Sequence, residues 1–299
     1  MKIETQIALL KVIENKDIES LKRRLELLID SIVQIQLKFY KKEISDWKDQ
    51  KLEYLLVKFT LHQKSFLKTI EPTLINSQNP NSALIDISST FVIVRSIIEN
   101  FLTIFYLYIL PENEDEFEFF HQLYSGASMM RRQDLKKNYN DNDEQPSQRK
   151  LEEEKLILDL VDKLKVSPFY KSLNKHKRKN IESMSSTNMK AMIYNWNELI
   201  IKSDLRNELF KNTWRLASSY AHSEELALVQ LKDYYSSEKG KFAQINFLSS
   251  MINLNCMLNS KMILFVKKKY EWAEPVFNES PDNIIHEIEF WNKIATEIK

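Results

Sequence analysis

The chain has 299 residues, a formal net charge of +1 and only two glycines, Gly126 and Gly240. No glycine-rich turn can therefore cradle a dinucleotide or a nucleoside triphosphate, which excludes the Rossmann fingerprint and the P-loop. Cys256 is the single cysteine, which excludes an internal disulfide and a thiolate zinc cluster and fits a reducing, cytoplasmic location.

With glycines so scarce and the seven prolines falling mostly between apolar-periodic segments, the composition predicts an all-helical protein. Glu4, Lys11, Glu14, Lys16 and Asp17 interrupt the first twenty residues, so no apolar core of a signal peptide is expected there. Ile7, Leu10, Leu21, Leu25, Leu28, Ile32, Ile35 and Phe39 recur at helical spacing, and Leu52, Leu55, Leu56, Phe59 and Phe66 continue the pattern. These predict two or three amphipathic helices forming an N-terminal unit. Pro72 to Ser82 reads as a linker.

Ala83 to Leu110 is the most apolar stretch and ends at Pro111. Arg95, Glu99 and Asn100 interrupt it, and the remainder is too short to span a bilayer, so it reads as a core helix with no membrane span. Helices are expected over Glu114 to Tyr139, Gln148 to Lys165, Met189 to Ile201 and Leu205 to Ser223. Gly240 reads as a separator before a long helix from Phe242 to Trp272, and a last helix is expected from Ile284 to Ile298.

The stretch WRLASSYAHSEELALVQL, Trp214 to Leu231, carries the most informative pattern. Read as one helix, it places Arg215 and His222 seven residues apart, almost two full turns, on the same face. An arginine and a histidine so held can stabilise a developing phosphorane and move protons near neutral pH. They can equally form a buried structural pair. Ser218, Ser219 and Tyr220 add polar groups beside them.

Arg95 and Glu99 stand one turn apart on the most apolar helix, which is costly unless the charges are paired or used. They read either as an ion pair that also bonds a neighbouring helix or as part of a cavity shared with Arg215 and His222. Glu118 and His121 form a single E-x-x-H, whereas a helical di-iron site needs that motif twice, so no metal site is expected. Lys171, Lys175, Lys177, Arg178 and Lys179, with Arg131, Arg132, Lys136 and Lys137, are either phosphate-backbone contacts or a solvated face. Tyr139, Tyr170 and Tyr194 are either stacking platforms for bases or core residues.

The combination of VRSIIENFLTIFYLY (Val94 to Tyr108), a helix ending in MMRRQ (Met129 to Gln133) and SSYAHSEELALVQL (Ser218 to Leu231) resembles an uncharacterised family of all-helical bacterial proteins. In that family an R-x-x-x-E helix precedes an S-S-Y-A-H-S segment. The similarity covers roughly Ser82 to Leu231. One level further out, the arrangement resembles the HEPN superfamily, helical bundles with an R-x4-6-H motif that include metal-independent ribonucleases of toxin and antiviral systems as well as silent members. The resemblance implies an all-α, HEPN-like helical bundle over residues 82–299 with an N-terminal helical extension over residues 1–75. It makes His222 the general acid or base at the ribose 2′-hydroxyl or leaving oxygen, and Arg215 the stabiliser of the phosphorane, in a site commonly formed across a homodimer. Leu216 departs from the pattern, since a polar residue usually follows the arginine.

The expected site thus has Arg215 and His222 as catalytic residues and Arg95, Glu99, Ser219 and Tyr220 as supporting or binding residues, with no metal and no cofactor. The expected function is RNA cleavage or RNA binding in a bacterial defence or toxin system. The alternative is a non-catalytic interaction module, a homodimer or the binder of a protein partner, with a buried Arg/Glu/His network.

Overall fold

A computed structural model describes residues 3–40, 47–78, 83–137, 148–184, 190–235 and 238–296. The described chain is almost wholly helical, with one two-stranded hairpin, as the glycine-poor composition requires. It divides into two compact units: one combines Met1–Ile104 with Ile200–Lys299, and the other is Phe105–Leu199. The first therefore takes in both the N-terminal helices, read from sequence as an extension, and the last hundred residues of the chain.

In the first unit α1 (Ile3–Glu14) and α2 (Ile18–Tyr40) meet at Lys16, whose φ of 51° reverses the chain. Asp17 caps α2 by accepting from the Ser20 amide at 3.1 Å. Leu21, Leu25, Leu28, Ile32 and Ile35 form one stripe at three-to-four spacing, and each is buried. A buried aliphatic side chain contributes roughly 1.5–3 kcal/mol, so this stripe is what fixes α2 in the unit. It packs against α3 (Trp47–Thr69) and the long α12 (Glu238–Lys269). Arg24 on α2 donates to Glu287 Oε2 at 3.1 Å on α14 (Asp282–Ala295), and the Trp291 indole donates to the other Glu287 oxygen at 3.3 Å. Glu287 is buried, and the two donors offset the cost of removing its carboxylate from water.

The segment read as a linker contains β1 (Thr73–Leu74), which pairs antiparallel with β2 (Ala83–Leu84) just beyond it. The following α4 (Ile87–Ile104) is capped by Asp86, which accepts from the Ser89 amide at 2.9 Å. The helix continues as a π-helical turn over Phe105–Ile109, where the Leu110 amide donates to the Phe105 carbonyl at 2.8 Å. Ile87–Ile109 is 23 residues long with a mean hydropathy of 1.6 in its apolar window, so by length and composition it is long and apolar enough to cross a bilayer, against the expectation that the stretch is too short; 67% of that window is buried. Within the first unit α4 packs on α3, α10 (Asn207–Ala221), α11 (Glu225–Tyr235) and α12.

Gly240 lies inside the first turn of α12 rather than between helices. A Cβ there would stand 2.4 Å from the Tyr234 carbonyl oxygen and 2.6 Å from that of Asp233, so the end of α11 comes down onto a position only glycine can fill.

The second unit contains α5 (Glu114–Lys137), α6 (Gln148–Val166), α7 (Pro168–Ser172) and α8 (Lys175–Glu182). Arg132 on α5 pairs with buried Glu153 on α6. Tyr106, Phe119, Phe120, Phe169 and Tyr194 form its aromatic core. The helix expected from Met189 begins instead at Trp196, as α9 (Trp196–Lys202). Asn195 and Glu198 form a reciprocal capping box, Asn195 N donating to Glu198 at 2.8 Å and Glu198 N to Asn195 Oδ1 at 3.0 Å. The residues before it run as irregular chain over 190–195.

Candidate functional site

Every residue of the expected site belongs to the first unit. Arg95 and Glu99 sit one turn apart on α4, the Arg95 Nε donating to Glu99 Oε1 at 2.9 Å, with both side chains about three-quarters covered at 25% and 28% exposure. The same oxygen accepts the Trp214 indole N–H from α10 at 3.1 Å. The Arg95 guanidinium in turn lies 5.7 Å from the centre of the Trp214 ring. One carboxylate oxygen thus ties the most apolar helix of the unit to α10, and the ion pair bonds a neighbouring helix, as one of the two sequence readings holds. The two readings of the pair differed on what it faces, and what it faces is Trp214.

Arg215, one residue further along, points elsewhere. Glu208, Asn212, Arg215 and His222 are exposed, with Ser219 half-buried between the last two, so they form one polar stripe at three-to-four spacing along α10. Arg215 and His222 therefore share a face, but neither side chain has a hydrogen bond or ion pair among the described residues. Neither contacts Arg95 or Glu99 in that sense, and neither lies in a buried network.

Trp214 to Leu231 is not one helix. α10 ends at Ala221, His222 caps it, and Ser223 turns the chain with a φ of 51°. The Ser223 amide donates to the Tyr220 carbonyl at 3.2 Å and the Glu224 amide to the Ser219 carbonyl at 3.0 Å. That bond pair is a Schellman motif, with a serine in the left-handed position that usually falls to glycine. It satisfies the last carbonyls of α10 and starts α11 at Glu225. His222 is thereby presented at the helix end.

Tyr220 points inward from the same turn. Its ring stacks on Phe91 at 4.2 Å, Phe91 meets Phe247 at 4.8 Å, and its hydroxyl donates to Gln230 Oε1 of α11 at 3.0 Å. Burial pushes the Tyr220 hydroxyl well above its ordinary pKa, so it acts as a fixed donor. Tyr220 and Gln230 hold the α10–α11 corner that displays His222. Trp214, Phe91 and Gln230 were not singled out in the sequence; the signal for Trp214 was its place beside Arg215, one step round the helix toward the core.

Elsewhere, His121 of the E-x-x-H motif is fully buried, its ring 4.4 Å from Phe117 and 4.9 Å from Tyr108. Among the described residues no group of three or more His, Cys, Asp or Glu stands close enough to hold a metal ion. Tyr170 donates its hydroxyl to Glu182 at 2.7 Å, and one face of the Tyr194 ring is covered by the Lys177 ammonium at 3.6 Å. Tyr139 and the side chains of Lys136 and Lys137 lie outside the described residues.

A model of a family of unknown function, DUF5677, matches residues 84–242, just over half of the chain. The chain belongs to this family. The DUF5677 region runs from β2 to the first turn of α12 and so contains Arg95, Glu99, Trp214, Arg215, Tyr220, His222 and Gly240. It leaves out α1, α2, α3 and most of α12. No curated protein and no solved structure matches the chain.

Proposed function

We propose that this DUF5677 member is an RNA-cleaving or RNA-binding protein of a bacterial defence or toxin system, acting without metal through Arg215 and His222. The observation that carries this reading is the exposed stripe on α10, where a guanidinium and an imidazole share one face with no partner among the described residues. A site on an open face suits a polymer that lies across it better than a small molecule that needs enclosure. In this role Arg215 neutralises charge on the phosphorane as the ribose 2′-hydroxyl attacks phosphorus, and His222 moves the proton at the attacking or leaving oxygen. One imidazole cannot take and give a proton in the same step. A HEPN-like homodimer supplies the second His222.

The test is an assay of purified protein on a mixed RNA pool in EDTA. Cleavage leaving cyclic phosphate ends, lost in His222→Ala and in Arg215→Ala, supports the reading. Both variants should melt like wild type because both side chains are exposed.

A second reading, a non-catalytic interaction module that pairs with a second copy of itself, is favoured by Leu226, Leu228 and Val229. These α11 residues follow His222 directly and are each more than half exposed. Under it, wild-type protein leaves RNA intact, and Leu226→Ser with Val229→Ser abolishes self-association measured by light scattering.

A further inference from the structure

The second unit contains a cleft of about 280 Å³ between α8 and the irregular chain leading into α9. Lys177 is its anchor. The side chain is only 14% exposed, unusual for a lysine, with its ammonium 3.2 Å from Glu198 and 3.6 Å from the centre of the Tyr194 ring. Both supports are themselves fixed. Glu198 is locked in the capping box with Asn195, and the Tyr194 ring packs edge-on against Tyr106 and Phe120. The cation is thus held in place before any ligand arrives, and little side-chain entropy remains to be lost on binding.

The charges left over favour an anion. Glu198 is the one carboxylate in the cleft lining, and its two oxygens are engaged by Lys177 and by the Asn195 amide. Lys190 and His176 also line the cleft, and neither has a hydrogen bond or ion pair among the described residues. α8 reads KHKRKNIE, four cations against one acid; of the four only Lys177 lines the cleft, and the others make its surroundings positive. Met192 and Ile193 supply an apolar side. The volume lies just below the range of roughly 300–1,000 Å³ typical of drug-sized ligands, which limits the occupant to a small molecule.

We propose that this cleft binds a small phosphate monoester, with its phosphate on Lys177 and Lys190 and its organic body against Met192 and Ile193. Lys177 already has Glu198 as its counter-ion, so the uncompensated charge of the lining is that of Lys190, and a phosphate gains charge-assisted contacts from both lysines where a single carboxylate would engage fewer. The site is separate from the Arg215 stripe and does not depend on it.

Calorimetric titration of the full chain with phenyl phosphate tests this. One saturable site is expected, with inorganic phosphate binding more weakly because it lacks the apolar body. Lys190→Gln should weaken phenyl phosphate binding about tenfold or more, the loss of one charge-assisted contact, without moving the melting temperature. Lys177→Met should weaken it at least as much; if that variant melts lower, Lys190→Gln and the charge-keeping Lys190→Arg, which should retain binding, decide. Absence of saturable binding overturns the proposal, as does Lys190→Gln binding like wild type. So does loss of binding in Arg215→Ala, which would place the phosphate on the other surface.

Discussion

Trp214 donates its indole N–H to Glu99 across 115 positions of sequence, onto the same carboxylate oxygen that Arg95 holds. This bond fixes the rotation of α10 about its axis. With Trp214 turned to α4, Arg215 and His222 face outward.

Glu99→Ala should therefore destabilise the fold. It removes the acceptor of two hydrogen bonds and strands a half-buried guanidinium, at a cost of about 1–3 kcal/mol. Thermal melting reads this directly. Because the pair is partly exposed, Glu99→Gln should recover part of the loss by accepting from Trp214 alone. An unchanged melting temperature in Glu99→Ala would show that the bond does not set the α4–α10 packing.

The turn at Ser223 stores backbone strain. A serine at φ 51° costs about 1 kcal/mol that glycine does not incur. Ser223→Gly should raise stability by up to about that amount, while Ser223→Val should lower it, both seen in chemical denaturation. If Ser223→Gly is destabilising, the Schellman turn is not the one described.

Gly240→Ala is expected to be severely destabilising, because the new methyl would overlap the Tyr234 and Asp233 carbonyl oxygens, which are backbone atoms and cannot turn aside. A loss of about 2 kcal/mol or more is expected from melting. A variant as stable as wild type would mean that the α11–α12 corner is more open.

His62 gives a pH signature. Burial, helped by the nearby Lys58 cation, lowers its pKa below the ordinary 6.5 despite a bond to the Ser96 backbone. The folded protein thus favours neutral His62 more than the unfolded chain does. Its contribution is fully present above pH 6.5 and is lost as pH falls from there toward the lowered folded value. Denaturation at about pH 7.5 and about pH 5.5 should show a smaller loss of stability in His62→Gln than in wild type. Equal losses would contradict the burial of the ring.

Most helices were legible because their apolar residues recur at helical spacing, as the Leu21 to Ile35 stripe on α2 shows. Breaks without glycine or proline were not. The helix expected over Leu205 to Ser223 ends within two residues of the end of α10, but Ser223 takes a left-handed conformation that no residue type announced, so the reading of Trp214 to Leu231 as one helix fails there. Gly240 misled in the opposite sense, since it marks a close approach of carbonyls inside a helix and not a boundary. The face shared by Arg215 and His222 followed from spacing, and so did the Arg95–Glu99 pair. Their separation from each other depends on Trp214, a tertiary bond that periodicity cannot carry. The Lys177 cleft was equally hidden, because Glu198 and Tyr194 meet Lys177 only through the capping and aromatic packing of the folded unit.

The most direct measurement is cleavage of a mixed RNA pool in EDTA by wild type, Arg215→Ala and His222→Ala, each with a melting curve. The α10 stripe predicts cleavage by wild type and loss of it in both variants, with melting temperatures unchanged. No cleavage by wild-type protein, or cleavage that survives in His222→Ala, would contradict a nuclease site on this face.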